Sequence, residues 1–158
     1  MKGYTYQKYD KEHMARALGV ALPVSFKQSV EICQFIKDRE TGAAKKLLQN
    51  VVDKKTAVPV RRYNSDLGHK RKIGPGRYPK NTSIEFIKLI EGAEANAQFK
   101  GLNTSNLVIA HISAHKAGKS WHFGRKQRTK MKRTSIEIVV QVSKQKEKQT
   151  EKSKPAKK

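Results

Sequence analysis

The sequence predicts an α+β fold: three helices and a pair of antiparallel strands that run outward as a long basic ribbon. Three observations carry that expectation. Apolar residues recur every three to four positions in three separate segments. Two later runs are dense in β-branched residues. The connections between these segments are too long and too basic for ordinary turns.

A short strand is expected near Leu18–Val24. Ser25 and Gln28 then stand at capping-box spacing, and Pro23 discourages an earlier helix start. Phe26, Val30, Ile32, Cys33 and Ile36 fall on one broad arc of that first helix. Thr41-Gly42 ends it and opens a second, in which Ala43, Leu47 and Val51 recur with Ala44, Leu48 and Val52 beside them. Thr82 and Glu85 form another capping box, starting a third helix that runs to about Phe99 and closes at Gly101. Its apolar face is Ile87, Ile90, Ala93 and Ala97. The β-rich runs are Leu107–Ile112 and Ser135–Val142. In the second, Ile136, Ile138, Val140 and Val142 alternate with Glu137 and Gln141, which predicts one buried face. Residues 1–142 are expected to form one domain, followed by a flexible Lys-rich tail over 143–158.

Charge is separated from this patterned body. The formal net charge is +22, from 35 Lys and Arg against 13 Asp and Glu. Residues 57–80 hold seven basic side chains and one acid, and residues 115–133 hold eight and none. A surface made basic for solubility would mix its signs. Basic segments on a near-neutral body instead read as the footprint of a polyanion. No apolar run approaches the roughly 18 residues of a membrane span, and MKGYTYQKYDKEH lacks the apolar stretch of a signal peptide. The single Cys33 allows no internal disulfide. An intracellular protein with no membrane partner is expected.

The first long connection, 57–80, shows no helical or strand period, and a compact domain seldom keeps such a loop without a use. Arg61, Arg62, Lys70, Arg71, Lys72 and Arg77 offer phosphate partners. Tyr63 and Tyr78 stand beside arginines, as groups that stack on unpaired bases do. The second, 113–134, separates two strands that a short turn could join. The strands therefore continue outward, about fourteen residues per arm, reaching roughly 45 Å. Trp121, His122 and Phe123 are placed at the ribbon tip, flanked by Lys119, Arg125, Lys126 and Arg128. Lys116, Lys130, Lys132 and Arg133 complete the basic set. Trp121 could instead fold back onto the body.

No catalytic or metal constellation emerges. His111 and His115 share a strand face about 13 Å apart, too far to ligate one metal. Cys33 lies on the apolar arc of helix one, as structural cysteines do. The GPGR segment lacks the Lys-Ser/Thr ending and strand-to-helix context of a phosphate loop. Glu31, Glu85, Glu91 and Glu94 sit on helix faces where solubility accounts for them. No cofactor is implied.

The runs AVPVRRYNSDLGH and GRYP, then EGAEANAQFKGL, LVIAHISAHKAG and SIEIVV, closely resemble the family of large-ribosomal-subunit protein twenty-two, protein seventeen in eukaryotic numbering. The resemblance spans about residues 15–142 and is of archaeal or eukaryotic type. It implies three helices packed on a small antiparallel sheet with a long protruding β-hairpin. It also implies partners: large-subunit ribosomal RNA, neighbouring ribosomal proteins, and the nascent polypeptide passing a hairpin that lines the exit tunnel of cytoplasmic ribosomes. Arg61, Arg62, Tyr63, His69, Arg77 and Tyr78 match the RNA-bound loop, and Phe123-Gly124-Arg125 the aromatic-Gly-Arg step near the hairpin tip. Family hairpins carry a longer arginine-rich stretch with Pro-Arg-Ala before that step, whereas only KAGKSWH separates His115 from Phe123. The resemblance thus implies a shorter tip of different chemistry. Two alternatives stand beside it. One is an architectural nucleic-acid-binding protein outside the ribosome, disfavoured because no helix shows a basic, base-reading face. The other is an RNA-modifying enzyme, disfavoured because no catalytic site is visible.

Overall fold

The computed structural model describes residues 3–143, so the Lys-rich tail expected from 143 onward lies outside the described residues apart from Ser143. The chain runs β1 (Met14–Leu22), α1 (Phe26–Ile36), α2 (Thr41–Val52), β2 (Val58–Pro59), β3 (His69–Lys70), β4 (Gly74–Arg77), α3 (Lys80–Phe99), β5 (Leu107–Lys116) and β6 (Thr134–Val142). The main sheet is antiparallel in the order β1–β6–β5, and β2–β4–β3 form a second, small antiparallel sheet. The class is α+β, with three helices on the main sheet.

One apolar cluster joins them. Ile32 and Ile36 of α1, Leu48 and Val51 of α2, and Phe86, Ile90 and Ala93 of α3 pack on Ala15, Ile109, Ile136, Ile138 and Val140 of the sheet. A bulge lies between Ile109 and His111, so Ile109 and Ile112 both reach the core although their spacing breaks the two-residue period. The free edge of β5 is covered by the α1–α2 connection: Ile109 N–H donates to the Arg39 carbonyl at 2.9 Å, and Asp38 N–H to the Ile109 carbonyl at 3.2 Å. Covering an edge in this way blocks pairing with another chain.

Several sequence expectations shift. The first strand is longer than predicted and starts upstream of Leu18, because β6 gives it a partner along Met14–Gly19. The C-terminal end of α3 is as expected: Gly101 at φ +73 and the bonds Leu102 N–H to the Ala97 carbonyl and Gly101 N–H to the Gln98 carbonyl make a Schellman close. Neither capping box forms. Ser25 is the N-cap of α1 but makes no side-chain cap bond, and α3 starts at Lys80 after Pro79, with Thr82 inside it. Gln28 of the first box and Thr82 of the second bond each other instead: the Thr82 hydroxyl donates to Gln28 Oε1 at 3.0 Å, tying α1 to α3. Helix α1 ends at Ile36, before Thr41-Gly42, and Ile87 is only half-buried while Phe86 fills the core.

The largest correction concerns the outer face of the sheet. Glu137 was expected on a solvated face, yet it is 1% exposed, and Val139 beside it is buried as well. The N-terminal segment crosses that face. Thr5 N–H donates to Glu137 Oε2 at 2.8 Å and its hydroxyl to Oε1 at 2.7 Å, while His111 Nε2 lies 2.9 Å from Oε1. Tyr6 stacks on the His111 ring at 4.8 Å, and Arg16 sits over Tyr4 and Tyr9. Burial pushes the Glu137 carboxyl up, but the Thr5 donors and His111 outweigh it and hold it below the ordinary glutamate range. A depressed folded value means the carboxylate's stabilisation is full above the unfolded pKa, near 4.3, and is lost as pH falls through the folded value. Thermal melts should therefore be insensitive to this group from pH 7 to about 5 and fall below about pH 4. Glu137→Gln should flatten that acid limb; an identical acid limb would mean the Thr5 bonds do not form in solution.

Candidate nucleic-acid interface

The basic loop is not structureless, as its lack of period suggested. Val60 N–H donates to the Pro75 carbonyl at 2.9 Å, and the strands β2, β4 and β3 fold the segment into a compact flap. Gly76 is closely packed at its centre: a Cβ there would lie 3.0 Å from Ile73 Cδ1 and 3.1 Å from Lys70 Cγ, so those side chains would have to shift. His69 and Lys70 form β3, Arg71 and Lys72 make the turn into β4, and Arg77 ends β4. Arg61, Arg62, Arg71, Lys72 and Arg77 are exposed, while Tyr78 is half-buried under the Lys70 ammonium at 5.6 Å.

Glu31 organises the flap's entry, a role the sequence reading missed. Oε2 accepts the Arg61 backbone N–H at 3.0 Å and Oε1 that of Arg62 at 2.9 Å. At 3% exposure it is no solubility residue. It lies on the far side of α1 from Ser29, Ile32, Cys33 and Ile36, which face the core. Helical period alone could not expose it, since the flap and not the core covers that side. Tyr63 follows at φ +29, a backbone conformation side chains seldom adopt, 45% exposed, with Lys27 Nζ 4.9 Å from its ring centre.

The second basic stretch leaves the sheet as a ribbon. Its regular ladder ends at the pair Lys116 and Thr134, then resumes where Met131 N–H donates to the Ser120 carbonyl at 2.8 Å and His122 N–H to Thr129 at 2.9 Å. The apex is the 3-10 turn Gly124–Lys126, with Gly124 at φ +61. Trp121 and His122 therefore sit on the arm, not at the tip. Trp121 pairs with Lys130 across the ribbon, with the Lys130 ammonium 4.5 Å from its ring, and it does not fold onto the body. Trp121 is 58% and Phe123 85% exposed, and Arg125, Lys126 and Arg128 surround the apex in solvent. Trp121→Ala should accordingly move the melting temperature of the free protein by no more than a surface substitution does, about 0.5 kcal/mol. A loss of about 3 kcal/mol or more, as for a buried aromatic, would contradict this placement.

The two stretches meet at their bases. A cleft of about 540 Å³ is lined by Tyr63 and Arg77 of the flap, Lys116, Lys119, Lys132 and Arg133 of the ribbon, and the first turn of α1. His69, Arg71, Lys72 and the apex cations stand apart from it. Among the described residues, the salt bridges are Lys45–Glu94, Lys55–Asp53, Lys88–Glu85 and His111–Glu137, none of them involving a cation of the flap or ribbon. Those side chains thus have no carboxylate in salt-bridge range among the described residues. The catalytic alternatives gain nothing: burial pushes the Cys33 thiol up to about 12, so it is no nucleophile. No group of three or more metal-ligating side chains occurs among the described residues, and no helix there is long and apolar enough to cross a membrane.

Comparison with known proteins agrees with this arrangement. A family model described as Ribosomal protein L22p/L17e matches residues 17–141. Large ribosomal subunit protein uL22 of Archaeoglobus fulgidus is 37% identical over 88% of this chain and 95% of its own length. The proteins of the same name from Staphylothermus marinus, at 40% over 87% of this chain and 94% of theirs, and Methanococcoides burtonii, at 43% over 68% and 72%, are similar. With the family model spanning most of the sequence and the three-helix, antiparallel-sheet body in place, the chain belongs to the ribosomal protein L22p/L17e family.

Proposed function

We propose that the protein is a structural constituent of the large ribosomal subunit that binds large-subunit ribosomal RNA through the flap and the ribbon, supports assembly, and extends its β-hairpin along the wall of the nascent-peptide exit tunnel. One observation carries the reading: Arg77 of the flap meets Lys116, Lys119, Lys132 and Arg133 of the ribbon around one cleft, and no carboxylate forms a salt bridge with a cation of either segment among the described residues. Neutralising phosphates and matching the fold of the RNA are what such an array can do chemically. The phosphate-facing set is Arg61, Arg62, Lys70, Arg71, Lys72, Arg77, Lys116, Lys119, Arg125, Lys126, Arg128, Lys130, Lys132 and Arg133, with Tyr63, His69, Tyr78, Trp121, His122 and Phe123 for base contacts. Residues 1–142 act as one domain, and the tail adds unspecific charge. Neighbouring ribosomal proteins meet the body, and the exposed apex around Phe123 is what a passing polypeptide would touch. The family relation and the exposed apex of the ribbon support this placement.

Sucrose-gradient fractionation of cell extract tests it. The protein should co-sediment stoichiometrically with the large subunit at moderate salt and leave it only at high salt. Sedimentation with DNA, or a free pool outnumbering the subunit-bound one, would favour the architectural alternative.

A further inference from the structure

The cleft between the flap and the ribbon has a feature that charge neutralisation alone leaves unused. Its lining is mixed, with Val24, Val58 and Val60 among the polar and charged side chains. Two aromatic rings line it, Phe26 from the first turn of α1 and Tyr63 from the flap. Arg77, Lys116, Lys119, Lys132 and Arg133 line it as well. A phosphodiester backbone held by these cations alone would leave both rings in contact with water.

We propose that this cleft receives a single unpaired nucleotide of the bound RNA, its base against the rings of Phe26 and Tyr63, and its phosphate among Lys116, Lys119, Lys132 and Arg133. This rests on the RNA-binding reading and names what one part of that interface takes. The volume, about 540 Å³, lies within the range of small-ligand sites. Each ring presently carries a cation: Lys116 Nζ is 5.4 Å from the Phe26 centre and Lys27 Nζ 4.9 Å from that of Tyr63. A cation–π contact at an exposed ring is weaker than a base stack. An entering base therefore displaces both ammonium groups from the rings toward its own phosphate, and each partner gains. The one acid in the lining, Glu31, already has its two oxygens engaged by the Arg61 and Arg62 amides. A paired base presents only its edge and cannot lay its face on either ring, so the occupant is unpaired. An acidic peptide would meet the cations but leave both rings uncovered.

The test uses the full-length protein and two RNA hairpins at one salt concentration, one fully paired and one carrying a single bulged adenosine, with affinities from fluorescence anisotropy. The bulged hairpin should bind at least about five-fold tighter, the lower end of one base–aromatic stack. Tyr63→Ala, on the exposed flap where the fold does not depend on the ring, should bring the ratio to about one, as should Phe26→Ala. Lys46→Ala, an exposed cation on α2, should keep it. Tight and equal binding of both hairpins by the wild type overturns the cleft assignment while the RNA-binding reading stands. No binding of either overturns both. An unchanged ratio in Tyr63→Ala also overturns the assignment. So does a hexaglutamate peptide whose binding needs Tyr63 while the bulge makes no difference, since that gives the cleft to an acidic protein partner.

Discussion

Glu31→Ala should cost about 2–3 kcal/mol of stability and lower RNA affinity as well, although it makes the protein more basic. The carboxylate holds the Arg61 and Arg62 amides at 3.0 and 2.9 Å. Hydrogen bonds to a charged group contribute about 1.5–3 kcal/mol each, and here both arginines are exposed, so water recovers part of the loss. For a chain of this size that corresponds to a drop of about 5–10 °C in melting temperature. The affinity effect sets two terms against each other. Removing one negative charge favours a polyanion, by an amount that screening at physiological salt keeps below about 1 kcal/mol. Releasing the flap's entry requires several residues to be re-ordered on binding, at roughly 1–2 kcal/mol each. Ordering wins, and affinity falls. Glu31→Gln keeps one carbonyl acceptor and should fall between the two. Melts with parallel RNA titrations decide the matter: tighter RNA binding with an unchanged melting temperature would mean that Glu31 matters only as a charge.

The body was legible in the sequence because its signals are local. Apolar recurrence in α1, α2 and α3 and the β-branched density of β5 and β6 come from burial on one side of each element, and that leaves a period. Gly101 announced the end of α3 because only a residue at ease with positive φ closes that motif. What failed was decided at a distance. Gln28 and Thr82 carried cap signatures, and each found a better partner in the other across 54 residues of chain. Glu137 alternated correctly for a solvated face, but the segment around Thr5 covers that face, and nothing near Glu137 in sequence reports it. The same holds for Glu31 and the flap. The flap's strands are two to four residues long and built around Gly74-Pro75-Gly76, too short for a period to show. As for the interface, the basic and aromatic side chains could be named from the sequence. That Tyr63 and Arg77 meet Lys116 and Arg133 at one cleft depends on how β4 and β5 are set in the fold, which no spacing encodes.

Replacing Arg61, Arg62, Arg71 and Arg77 together by glutamine should flatten the salt dependence of RNA binding by about three in the log–log slope. If about ten charges of flap and ribbon contact phosphate, the wild-type slope is roughly −7 to −9, because each neutralised phosphate releases about 0.7 to 0.9 of a counterion. Four fewer contacts then remove about three. At low salt the variant should be weaker, and the difference should shrink as salt rises, since the missing term is counterion release. Stability should scarcely change. All four side chains are exposed and none forms a salt bridge among the described residues, and substitutions of that kind stay within about 0.5 kcal/mol each. This separates the arginines from Glu31, whose loss must show in the melt. It also separates the flap arginines from Tyr63, which carries no charge and leaves the slope alone while changing the preference for an unpaired base. Binding measured from about 50 to 300 mM salt gives both slopes directly. If the variant keeps the wild-type slope, the flap arginines do not touch phosphate, and the ribbon alone supplies the electrostatic contact.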